Sequence, residues 1–134
     1  MIDIVLVGTL LAVASGLILL RRTREGRFRL APGAHLSESD LGSALGGRAT
    51  FVQFSSAICA TCPQVRGVLD RVASAHPGVA HVEVSAEDRP DLVRRLGIMR
   101  TPTVLLLDPD GAVTSRTTGA LRTEQAVAAL GTQR

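Results

Sequence analysis

Two cysteines, Cys59 and Cys62, stand two residues apart in Cys59-Ala60-Thr61-Cys62, and the chain has no others. A pair at this spacing can close a disulfide, release two thiols, or supply half of a metal site. Its flanks narrow the choice. The apolar run Ala49-Thr50-Phe51-Val52-Gln53-Phe54 comes just before it, and an amphipathic helical pattern comes directly after. A strand-to-helix junction leaves backbone N–H groups unpaired and gathers partial positive charge. A thiolate placed there is stabilised, and the thiolate is the nucleophile of disulfide exchange.

The elements that must hold this pair are legible from periodicity and punctuation. Residues 49–55 read as a near-continuous apolar strand of the kind buried on both faces. Val65, Val68, Leu69 and Val72 recur at helical spacing after the cysteines. Pro63 falls in that helix's first turn, where its missing N–H is no loss. His76-Pro77-Gly78 ends the helix, and Val79 to Val84 reads as a second strand. Pro90 opens a helix carrying Leu92, Val93 and Leu96, closed by Gly97.

Thr103 to Leu107 reads as a third strand, and Asp108-Pro109-Asp110-Gly111 turns it into a return arm over 112–117. Thr123 is placed to cap a last helix carrying Ala126, Val127 and Leu130. Upstream, Ala34-His35-Leu36 suggests a short edge strand, and Ser37 a helix cap for a segment through Leu45, ended by Gly46-Gly47. The alternation predicts an α/β domain: a mixed sheet with helices on both faces.

Ile4 to Leu20 is a different kind of segment, seventeen uncharged and strongly apolar residues. At ~1.5 Å per residue such a helix reaches most of the way across a ~30 Å hydrocarbon core. A secretory signal peptide carries its positive charge before the apolar run. Here only Asp3 precedes it, and Arg21, Arg22, Arg24, Arg27 and Arg29 follow. The order favours an uncleaved single-pass anchor over residues 1–22, a basic linker over 23–33, and a domain over 34–134. Arginine-rich flanks stay on the cytoplasmic side, which puts the N-terminus outside and the domain inside the cell membrane.

The predicted isoelectric point near 10 would suggest a nucleic-acid partner if the charge were spread over the domain. It is not. All fifteen basic residues are Arg, five of them within residues 21–29, and beyond that stretch ten Arg face ten acids. The chain also has no Trp or Tyr for stacking on bases. No G-x-S-x-G, Walker A or dinucleotide-binding glycine pattern is present, and Ser55-Ser56 near His81 makes only a weak nucleophile constellation. Cys59-x2-Cys62 with His76-x4-His81 approaches a zinc-finger spacing. However, Pro77-Gly78 breaks the helix on which both histidines would have to lie, so no metal is expected.

With these elements in order, the chain from about residue 34 onward resembles the thioredoxin superfamily. Three motifs carry the likeness: Phe51-Val52-Gln53-Phe54 running into the Cys59–Cys62 motif; Gly97-Ile98-Met99-Arg100-Thr101-Pro102-Thr103-Val104, similar to the family's cis-proline loop; and Thr118-Gly119-Ala120-Leu121, at its glycine turn. The resemblance implies a thioredoxin-like fold and a protein-disulfide oxidoreductase in which Cys59 attacks and Cys62 resolves. It implies a cis Pro102 beside the sulfurs, with Thr101, Pro102 and Ile58 meeting the substrate. The implied partners are a disulfide-containing protein substrate and a reductase or other electron donor at the membrane, with no bound cofactor.

Three positions depart from the family pattern. Ile58 replaces its Trp, Ala60-Thr61 its usual Gly-Pro, and Gln53 its buried Asp. Gln cannot take a proton. His81 falls at the position of the family's buried Lys and Glu83 lies two residues on, which makes these two the candidates for a proton relay. A non-catalytic thioredoxin-fold scaffold that binds a membrane partner is the alternative reading.

Overall fold

The computed structural model describes residues 1–133. The first helix, α1 (Ile2–Arg24), is solvent-exposed along its whole length, with a mean hydropathy of 2.4 over its most apolar window. Its 23 residues are long and apolar enough to cross a membrane, a length and composition shared by anchors and signal sequences.

Beyond it come β1 (Arg29–Leu30), α2 (Glu38–Leu41), β2 (Ala49–Ser55), α3 (Cys62–Ala75), β3 (Val79–Ser85), α4 (Pro90–Leu96), β4 (Thr103–Leu107), β5 (Val113–Thr118) and α5 (Thr123–Gly131). The sheet order is β1-β5-β4-β2-β3. β2 and β3 run parallel, and the other neighbouring pairs are antiparallel. This is the mixed sheet that the sequence predicts, and β2 is wholly buried near its centre.

Alternation along the strands divides the core in two. Phe51, Val104 and Leu106 face Val65, Val68, Leu69 and Val72 of α3 and Ala126 and Leu130 of α5. Val52, Phe54, Leu105 and Leu107 point the other way, onto Leu92 and Leu96 of α4 and onto Leu36. Phe51 and Phe54 are fully buried, and truncating either to Ala costs about 3–5 kcal/mol. Gly97, in the left-handed conformation, ends α4 as predicted.

Three expectations change. The edge strand forms at Arg29–Leu30 rather than 34–36, where His35 makes only an isolated bridge to Ala112. Part of the stretch read as a linker is therefore built into the sheet. Gly26 N–H donates to Thr118 O, Phe28 packs its ring 6.0 Å from that of Phe51, and β1 pairs with β5. Gly26 itself is buried at φ +73°, and a Cβ there would overlap Ala120 O and the Gln125 side chain. Poor periodicity hides this strap, because two strand residues and one Phe are too few to show a pattern.

The helix after Ser37 stops at Leu41, because Gly42 takes the left-handed conformation one turn in. Ser37 does cap it, in a reciprocal box with Asp40. At the last helix Thr123 is the first helical residue rather than the cap, and Gln125 Oε1 accepts the Arg122 N–H there.

Candidate active site

Cys59 and Cys62 are joined in a disulfide, with Cα atoms 5.5 Å apart. Cys62 is buried as the first residue of α3, and Cys59 lies in the preceding loop, partly exposed. Thr61 precedes the helix, Pro63 occupies its first turn, and that turn holds no acid to oppose a thiolate. The pair is thus asymmetric, with one sulfur-bearing residue reachable from outside and the other within the core.

A second loop comes up beside the first. Ser56 Oγ and Thr101 Oγ1 share a hydrogen bond of 3.0 Å, which joins the segment before Cys59 to the segment around Pro102. The Thr101–Pro102 peptide is cis. Gly119 N–H donates to Pro102 O and Thr103 Oγ1 to Arg100 O, which ties this loop to the sheet. Each loop displays one apolar side chain: Ile58 is 95% exposed and Met99 91%. Ile58 was expected in the site. Met99 was not, although its place three residues before Pro102 was a usable signal.

Behind Cys62 lies a polar chain inside the core. Gln53 is fully buried, and its Nε2 donates to Cys62 O and to Ser55 Oγ, each at 3.0 Å. A carbonyl only accepts, so the amide nitrogen faces Cys62 and Oε1 faces the other way, 3.0 Å from His81 Nε2. That ring nitrogen must therefore carry hydrogen. His81 Nδ1 lies 2.6 Å from Asp70 Oδ1 on α3. The His81 side chain is only 6% exposed and that of Asp70 63%, so the chain runs from the Cys62 main chain to solvent.

A branch leaves through Ser55, whose hydroxyl donates to Glu83 Oε2 at 3.0 Å. Glu83 pairs in turn with Arg66 on α3 at 2.9 Å, and that carboxylate raises the Arg66 guanidinium above its ordinary value. Among the described residues, neither His81 nor Glu83 bonds a cysteine directly; Gln53 stands between. Asp70 and Arg66 completed this chain without any motif to mark them.

Two further supports escaped the sequence reading. Glu87 accepts the Ala57 N–H at 2.9 Å, one residue before Ile58, and this bond holds its carboxyl below the usual range. Gln64 takes both main-chain groups of Leu121, donating to its carbonyl and accepting from its N–H, and so docks α3 against the entry to α5. His76 turns its Nδ1 back to Val72 O at the end of α3.

With this geometry in view, comparison with known proteins is direct. The sequence model of the thioredoxin family matches residues 36–132, which hold the cysteine pair, the proline loop and the whole polar chain. The chain belongs to the thioredoxin family. A thioredoxin domain with a Cys59–Cys62 disulfide supports a thiol–disulfide redox role.

Solved structures agree on the thioredoxin fold. One, described only as a malarial protein, superposes with a TM-score of 0.57 at 15% identity, covering 63% of this chain and 96% of its own. Another is a thioredoxin-2 described as a component of malaria parasite protein secretion machinery. It reaches 0.62 at 15% identity, covering 78% of this chain and all of its own. No curated protein sequence matches the chain.

Proposed function

We propose that the protein is a membrane-tethered protein-disulfide oxidoreductase. The observation that carries this reading is the disulfide between a partly exposed Cys59 and a buried Cys62 at the start of α3. In the reduced protein, the Cys59 thiolate attacks one sulfur of a substrate disulfide and expels the other as a thiolate, which takes up a proton. The Cys62 thiolate then attacks Cys59 sulfur and releases the second substrate thiol. Two electrons pass to the substrate, and the Cys59–Cys62 bridge is left for a dithiol donor to reduce.

Thr101, Pro102, Ile58 and Met99 meet the substrate in this cycle. Main-chain groups at a loop edge can pair with an extended peptide, and exposed apolar side chains add area. His81 and Glu83 serve Cys62 through Gln53. Because the amide between them and Cys62 takes no proton, the arrangement supports positioning residues over a direct relay.

Helix α1 is the tether, with its arginines and the thioredoxin domain on the cytoplasmic side. That compartment keeps thiols reduced, which makes reduction of the substrate the net direction.

The test is a Cys62→Ser variant expressed as the full chain in intact cells. Mixed disulfides should accumulate through Cys59, and an impermeant thiol reagent should reach that cysteine only after lysis. An empty trap would contradict the exchange cycle. Labelling without lysis would reverse the topology and leave the chemistry standing.

A further inference from the structure

The arginines at the foot of α1 do not simply trail into solvent. Arg21, Arg24, Arg27 and Arg29 line a cavity of about 600 Å³ together with Arg100 from the proline loop and Arg116 from β5. Among the described residues, the only carboxylate in its wall is Glu25. Basic residues at a helix C-terminus complement the dipole, and a basic flank orients a membrane helix. Neither reason accounts for Arg100 and Arg116, which come from the far end of the sequence to the same wall.

The sheet sharpens the point. Arg29 on β1 stands directly opposite Arg116 on β5. Like charges at directly opposed positions destabilise a strand pair. Arg116 is partly satisfied by donating to Leu96 O and Gly97 O at the end of α4. Among the described residues, none of the six arginines forms an ion pair, whereas Arg66, Arg89 and Arg95 all do. A thioredoxin domain that is otherwise close to neutral thus concentrates uncompensated cations in one concavity, adjoining the loop that carries Thr101 and Pro102.

We infer that this cavity binds the phosphate of an anionic phospholipid headgroup. Its position chooses the lipid. The strap from α1 to β1 is short and docked, by Gly26 to Thr118 and Phe28 to Phe51, so the cavity sits where the apolar helix ends. That is the level of the headgroups if α1 spans the bilayer. Arginine forks fit phosphate oxygens in pairs, and several can share one phosphate. A bound headgroup would neutralise the Arg29–Arg116 opposition and hold the proline loop, through Arg100, at a set angle to the membrane. The inference rests on the membrane-tether reading.

The test uses the full chain in mixed detergent micelles holding equal phosphatidylcholine and phosphatidylglycerol, with retained lipid read by native mass spectrometry. Phosphatidylglycerol should be retained over phosphatidylcholine by about tenfold, and high salt should erase the preference. Arg29→Gln with Arg100→Gln should abolish it without lowering the melting temperature, since both side chains are exposed. Arg71→Gln, on the exposed side of α3, should keep it.

Equal retention of the two lipids by the unmodified chain would overturn the site, whatever the variants do. So would a preference that survives Arg29→Gln with Arg100→Gln, or one that Arg71→Gln removes as well. Inorganic phosphate that raises the melting temperature as much as phosphatidylglycerol does would assign the cavity to a free anion. An acidic peptide that displaces the lipid would assign it to a substrate instead. A chain that fails to enter phosphatidylcholine vesicles removes the tether and this site together; one that enters without lipid preference removes the site alone.

Discussion

Gln53 donates from the buried strand β2 to the main-chain carbonyl of Cys62, 3.0 Å away. A buried amide thereby holds the turn that carries the second cysteine. Replacing it by Leu removes the second bond at the Cys62 carbonyl, which keeps its helical partner, and leaves the nearly buried His81 Nε2 without one. Each buried polar group without a partner costs about 1–3 kcal/mol. We predict that Gln53→Leu lowers stability by about 2–4 kcal/mol in urea denaturation, with an unchanged m-value. A loss within error of zero would show that the bond carries no weight.

The same chain gives a kinetic prediction for His81. Acting through Gln53, it should influence resolution by Cys62 and not attack by Cys59. His81→Asn should slow decay of a preformed mixed disulfide by about tenfold while the alkylation rate of Cys59 stays the same. A proportional fall in both rates would mean that the variant merely disturbs the fold.

Ile58 and Met99 are almost fully exposed, so their removal should cost binding and not stability. For Ile58→Ser and Met99→Ser, KM for a protein disulfide should rise about three- to tenfold, with kcat and melting temperature little changed. A small-molecule disulfide, too short to reach both loops, should show no difference. An equal effect on both substrates would place these residues in the chemistry rather than the docking surface.

Asp40 supplies the pH dependence. Its carboxyl is held far below the ordinary Asp value, first by the Arg95 guanidinium and then by the Ser37 N–H. A carboxyl depressed in the folded state contributes stability that is present above its unfolded pKa and lost as pH falls toward the folded value. Asp40→Asn should therefore melt several degrees below the unmodified protein at pH 7. The gap should narrow steadily below about pH 4. A gap that stays constant down to pH 2 would remove the ion pair as its source.

Most of this architecture is legible in the amino-acid order because its strands and helices carry clear signals. Residues 103–107, the helix with Pro63 in its first turn and the helix opened by Pro90 appear where periodicity and proline place them. The cysteine pair declared itself by spacing and flanks. The strap through Gly26, Phe28 and Arg29 did not, because its contacts are with residues distant in the chain: Thr118, Phe51 and Arg116. Gln53 read as a loss, a position without its acid, and only the packed structure reveals what its amide holds. Asp70 has no motif to mark it, and its partner His81 lies eleven positions later on another element. Long-range hydrogen bonds leave no local pattern, and here they join most of the groups around Cys62.

Everything proposed for the site depends on exchange through one cysteine pair. The most direct measurement is reduction of insulin by the full chain, with a dithiol as electron source and the Cys59→Ser variant beside it. The account predicts steady turnover by the unmodified protein and a loss of at least about 100-fold in the variant. Equal rates from the two proteins would contradict it and leave a thioredoxin fold that serves as a scaffold.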